Sequence, residues 1–149
     1  MGVIGRLTRL TRLIEAELSR TFAAHGLDRA SFDVLATLRR SDPPHRLTPA
    51  ELMRASMVTS GAVTQRLDRL EARGLVNRTP SESDGRGVYV TFTDEGRALI
   101  DRALPDHVQA EERVLSALTG SQRDELAGTL RELLESLGDV TDLCDSPFS

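Results

Sequence analysis

Apolar residues recur with the period of a helix at both ends of the chain and with the period of a strand near its middle. Val3, Leu7, Leu10, Ile14, Leu18 and Phe22 fall on one stripe, three or four residues apart. That spacing predicts a long amphipathic helix whose seam suits a partner helix. His25-Gly26 ends it. Asp28 or Ser31 can cap a second helix carrying Phe32, Leu35 and Leu38, which stops before Ser41-Asp42-Pro43-Pro44.

The stretch 47–96 is the most informative. In Leu47-Thr48-Pro49-Ala50-Glu51-Leu52, Thr48 can cap a helix and Pro49 fits its first position. A break over 56–61 precedes a second helix over 62–73, stopped by Gly74. Residues 75–79 and 87–92 read as strands, joined by the charged, glycine-containing segment 80–86. A helix-turn-helix followed by a β-hairpin is a winged helix, which sets one helix in a DNA major groove and a hairpin tip beside it. The fold class is therefore mainly α with a small β-hairpin. Beyond it, Thr93 and Glu95-Gly96 open a helical region from 94 to about 118, with Pro105 expected to kink or split it. Thr119-Gly120-Ser121 breaks the pattern, and Ser121 starts a last helix through Leu126, Leu130, Leu133, Leu134 and Leu137, ended or interrupted by Gly138. The tail after Leu143 reads as disordered.

Within the 149 residues, regions 1–25 and 98–143 are thus expected to supply dimerisation helices around a winged-helix lobe over 28–97. An N-terminal helix this long has too little domain beneath it to bury its stripe alone. Ordinary packing within one chain is the competing reading.

The net charge of −4 looks wrong for a DNA binder until it is divided along the chain. Residues 1–58 hold nine Arg against six carboxylates, 59–97 hold six against six, and 98–149 hold four against eleven. The acidity lies in the C-terminal third, away from the arginines that would meet phosphate. No apolar run is long enough for a membrane span, and the N-terminus has no secretory pattern, so a cytoplasmic location is expected. The single Cys144 has no intramolecular partner and no adjoining base to activate it. No nucleophile elbow, phosphate-binding loop or metal-ligand cluster is present, so neither catalysis, nor a metal, nor a cofactor is expected.

On the second helix of the motif, Val63, Leu67 and Leu70 must face the core. Gly61, Thr64, Gln65, Asp68, Arg69 and Ala72 then point the other way, a mixture suited to a groove floor. Gln can contact adenine and Arg guanine through paired hydrogen bonds. Thr59 and Ser60 near the helix start can donate to phosphate, and Arg66 and Arg73 can grip the backbone from the flanks. At the hairpin tip, Arg86 could enter a minor groove, with Asp84 holding its guanidinium. A plain solvated helix face and a plain turn are the alternatives.

The segments Leu47-Thr48-Pro49-Ala50-Glu51-Leu52, Thr59 through Val76, Asp84-Gly85-Arg86-Gly87 and Phe92-Thr93-Asp94-Glu95-Gly96 together resemble the multiple-antibiotic-resistance regulator (MarR) family. Phe32-Asp33-Val34-Leu35 extends the similarity to nearly the whole chain. The resemblance implies an obligate homodimer built from the terminal helices, in which each winged helix reads half of a palindrome in double-stranded DNA. It puts Ser60, Thr64, Gln65 and Arg69 on the recognition helix, Arg86 on the wing, and Asp84 as the acid that orients it. It also implies a repressor released by a small molecule, often phenolic or anionic, bound between the dimer helices and the DNA-binding lobe. Phe22, His25, Phe32 and His107 are candidates to line that site, with plain core or surface positions as the alternative for each and a cap on the C-terminal carbonyls of the first helix as the alternative for His25. The peroxide-sensing branch has a reactive cysteine near its N-terminus and the urate-responsive branch a Trp in its ligand site; this chain has neither. A winged helix used for protein contact, and an activator without a small-molecule switch, remain alternatives.

Overall fold

A computed structural model describes residues 2–55, 60–80 and 87–139. Six helices and three strands follow one another: α1 (Val3–Ala24), α2 (Arg29–Arg40), β1 (Arg46–Leu47), α3 (Pro49–Ala55), α4 (Ser60–Ala72), β2 (Val76–Pro80), β3 (Val88–Phe92), α5 (Asp94–Leu115) and α6 (Gly120–Ser136).

Local chemistry sets most of the boundaries. The Leu27 N–H donates to Phe22 O and the Gly26 N–H to Ala23 O, both at 2.9 Å, which closes α1 where His25-Gly26 was expected to end it. Asp28, rather than Ser31, caps α2 by accepting from the Ser31 N–H at 2.8 Å. Thr48 caps α3 as expected, but reciprocally. Its Oγ1 accepts from the Glu51 N–H at 3.2 Å, while the Glu51 carboxylate accepts from the Thr48 N–H at 2.8 Å. Gly74, at φ +71°, closes α4 with the same bond pair, Leu75 N–H to Leu70 O and Gly74 N–H to Glu71 O. That left-handed residue turns the chain straight into β2.

The sheet order is β1-β3-β2, antiparallel throughout, with Arg46 opposite Thr91 and Val76 opposite Phe92. The two residues of β1 carry no alternation a sequence pattern could reveal, and the expected hairpin is in fact the larger part of a three-stranded sheet. Val76 and Val90 point inward from it onto Leu35, Leu38, Leu52, Leu67, Leu70 and Ile100, all essentially inaccessible to water. This is the core of the winged-helix lobe.

Three expectations are corrected. First, α4 begins at Ser60, two residues before the expected 62. Second, α5 runs unbroken through Pro105 instead of splitting there. The ring removes the donor to the Asp101 carbonyl, but burial of Ile100, Ala103, Leu104 and Ala110 on both sides holds the helix together. Third, the cap of α6 is Thr119, not Ser121, in a capping box with Gln122. Residues 56–59 of the expected break over 56–61, the wing tip 81–86 and the tail beyond Asp139 lie outside the described residues.

The two ends of the chain are incompletely covered. Leu18 and Phe22 of α1 are buried, yet Val3, Ile4, Leu10 and Leu13 are exposed. Along α6 no residue is buried, and Leu126, Leu133 and Leu137 face solvent.

Candidate nucleic-acid interface

Helix α4 has two chemically distinct sides. Val63, Leu67 and Leu70 are buried, as their spacing required. Gly61, Thr64, Gln65, Asp68, Arg69 and Ala72 are exposed on the opposite side. Among the described residues nothing lies within 4 Å of where a Gly61 Cβ would stand. Ser60 is the first residue of the helix. Thr59, Asp84 and Arg86 lie outside the described residues.

The flanking arginines are already engaged. Arg66 Nη1 pairs with the Asp28 carboxylate, and Arg73 Nη1 donates to the Gly26 carbonyl at 2.8 Å. Both fasten α4 to the turn between α1 and α2. Burial pushes the Asp28 carboxyl up, but hydrogen bonds from Ser31 and the charge of Arg66 outweigh it and leave it below the ordinary carboxylate value. Arg69 differs: among the described residues no carboxylate pairs with it, so its guanidinium is available to a ligand.

A second set of bonds joins α4 to the wing. From β2, Arg78 donates through Nη2 to Asp68 Oδ1 at 2.7 Å and through Nε to Glu71 Oε2 at 2.5 Å. Hydrogen bonds to Glu71 and Asp68 raise the guanidinium above its ordinary value. On the neighbouring sheet face, the Arg46 guanidinium lies 4.7 Å from the centre of the Tyr89 ring.

The four candidates for an effector site come together at the junction of α1, α2 and α5. Phe22 and Phe32 stack with centroids 4.4 Å apart, and His107 lies 5.4 and 4.7 Å from them. His25 Nε2 is 2.7 Å from Asp106 Oδ2, and His107 Nε2 is 3.0 Å from Glu111 Oε1. His107 Nδ1 is buried without a hydrogen-bond partner among the described residues. Sequence reading missed Asp33, on α2. Burial pushes its carboxyl above the ordinary value, against the pull of Arg29, Arg40 and His107. Its place beside two apolar positions of α2 was visible in the sequence; the partial covering of its side chain, which stays 39% exposed, was not.

The arrangement of helix-turn-helix, three-stranded sheet and long flanking helices matches known proteins. Residues 25–87 match the model of the MarR family. The HTH-type transcriptional regulator PecS of Dickeya dadantii is 40% identical over 130 residues, covering 87% of this chain and 78% of that protein. This chain belongs to the MarR family. It is a winged-helix transcriptional regulator. Its fold superposes with TM-score 0.84 on Sco3205, a MarR family transcriptional regulator from Streptomyces coelicolor solved in complex with DNA, at 30% identity over 91% of this chain and 88% of that one. It also superposes, with TM-score 0.80 and 26% identity, on Bordetella bronchiseptica BpsR, whose DNA binding is regulated by 6-hydroxynicotinic acid; 89% of this chain and 92% of that one are covered. No helix among the described residues is long and apolar enough to cross a membrane.

Proposed function

We propose that this MarR family member is a cytoplasmic, non-catalytic repressor that binds a palindromic operator as a homodimer and releases it when a small molecule binds. The observation that carries the DNA reading is the outer side of α4, where Thr64, Gln65 and Arg69 are exposed directly opposite Val63, Leu67 and Leu70. A helix so presented enters a major groove with Gln65 and Arg69 over base edges. Ser60 and Thr59 meet phosphate at its start, and Arg86, oriented by Asp84, reaches the minor groove from the wing. Arg66 and Arg73 act from the flanks, and their bonds to the α1–α2 turn support a role in fixing the helix as much as in touching phosphate.

Domain organisation follows the exposed apolar residues. The segments 1–25 and 98–143 form the dimer body around the 28–97 lobe. Leu10 and Leu13 of α1 and Leu126 and Leu133 of α6 are exposed in the protomer and need a cover. Charge favours pairing between them: α1 carries four Arg against two Glu, and α6 two Arg against four carboxylates. The effector site is assigned to Phe22, His25, Phe32 and His107, which sit between this body and the lobe. Two aromatic rings and two imidazoles suit a flat, anionic or phenolic ligand.

Fluorescence anisotropy on the upstream intergenic DNA, against a scrambled duplex and over a salt series, tests the reading. Tight, selective binding that weakens steeply with salt is expected. Equal, salt-insensitive binding to both duplexes would identify instead a winged helix that meets protein.

A further inference from the structure

The recognition face of α4 carries an element that ought to oppose DNA binding. Asp68 lies one helical turn beyond Thr64 on the exposed side, and Glu71 follows three residues later. Two carboxylates at this position would stand in the field of the phosphate backbone, within a screening length of about 10 Å at 0.1 M salt. Among the described residues a single cation reaches them, and it comes from a different element: Arg78 of β2 takes Asp68 with Nη2 and Glu71 with Nε. The rigid fork gives each acid its own N–H donor from one guanidinium, Nη2 to Asp68 and Nε to Glu71.

We propose that Arg78 is a positioning residue for DNA binding, neutralising the acidic edge of the recognition helix and tying the first wing strand to it. This rests on the DNA reading of α4 given above. Arg78 need not touch DNA. It removes a repulsion that the helix would otherwise carry into the groove, and it makes helix and wing approach the duplex as one body.

The test compares four proteins on operator and scrambled duplexes by anisotropy at several salt concentrations: wild type, Arg78→Ala, Arg78→Ala with Asp68→Asn and Glu71→Gln, and the double Asp68→Asn/Glu71→Gln with Arg78 retained. Arg78→Ala is expected to weaken operator binding about tenfold at low salt, with the deficit narrowing as salt rises. The triple variant, lacking the arginine and both charges, should recover to within about threefold of wild type. The double variant should bind both duplexes more tightly than wild type, because its net charge rises by two. A triple variant as weak as Arg78→Ala, with a salt slope lower by about one phosphate contact, would show that Arg78 grips DNA itself and overturn the proposal. If Arg78→Ala does not fold, the triple variant decides: binding within about threefold of wild type supports the proposal, and a tenfold loss with a salt slope lower by about one phosphate contact overturns it. A wild type that fails to distinguish the two duplexes removes the DNA reading itself; a selective wild type with an unrescued triple removes only the role of Arg78.

Discussion

A Cβ placed on Gly96 would stand 1.9 Å from the Leu75 carbonyl oxygen. The first turn of α5 is therefore pressed against the chain where α4 passes into β2. Thr93 seals the junction. Its N–H donates to that same Leu75 oxygen at 3.1 Å, its Oγ1 donates to Gly74 O at 2.6 Å, and that Oγ1 also accepts from the Gly96 N–H at 3.0 Å. Gly96→Ala must push backbone from backbone, since no flexible side chain can yield there. A loss of about 1–3 kcal/mol is expected, read as a lower denaturant midpoint with unchanged slope. An unshifted midpoint would mean that the junction gives way easily.

Thr48→Ala removes half of the capping box of α3. About 1 kcal/mol of stability is expected to go, and Thr48→Ser should retain most of it. Equal losses in the two variants would point to the Thr methyl group rather than the hydroxyl.

Gln65→Ala is expected to relax preference at one base position by roughly 1–3 kcal/mol while leaving binding to scrambled duplex nearly intact. Measuring affinity across all single-base operator variants reads this directly. A uniform loss over every sequence would reassign Gln65 to a phosphate contact.

Leu13→Asp is expected to disrupt the dimer and leave the lobe folded, as followed by sedimentation velocity beside circular dichroism. Leu13 is 63% exposed in the protomer, whereas Ile14 packs against the core, so a charge at Ile14 would confuse assembly with folding. An intact Leu13→Asp dimer would move the interface elsewhere.

Asp28 and Asp33 predict opposite pH behaviour. Asp28 titrates below its ordinary value of 3.8 in the folded chain, so its stabilisation is present above 3.8 and is lost as pH falls through the folded value. Asp28→Asn, which can still cap α2, should flatten that acid limb. Asp33 titrates above 3.8, so the folded chain holds its proton more tightly. Its contribution is fullest below 3.8 and declines as pH rises through the folded value, and Asp33→Asn should abolish that decline. Urea midpoints between about pH 3 and 7 check both signs.

Much of this architecture was legible because it is written in local chemistry. Periodicity placed Val63, Leu67 and Leu70 inside, and Gly26, Gly74, Thr48 and Thr93 marked helix ends through backbone conformations and caps that depend on near neighbours only. Less legible was whatever depends on distant pairs. Nothing within Arg46-Leu47 reveals that it will lie beside Val90 and Thr91. The partnership of Arg66 with Asp28 spans 38 positions, and that of His25 with Asp106 spans 81. Pro105 does not split α5, because buried Ile100, Ala103, Leu104 and Ala110 hold the helix on both sides of it. The effector candidates were chosen as separate aromatic and imidazole side chains, and their meeting is a property of the tertiary fold alone.

No residue of helix α6 is fully buried within its own protomer, and only Arg123, Gly128, Leu130 and Leu134 are partly covered. A 17-residue helix on its own is marginal in water, so the order of α6 depends on what covers it. If the cover is a second copy, dilution unwinds α6 before it disturbs the lobe, and helical content measured across a concentration series would fall while Leu35 and Ile100 stay protected. Protein concentration then sets the fraction of molecules in which α6 is ordered.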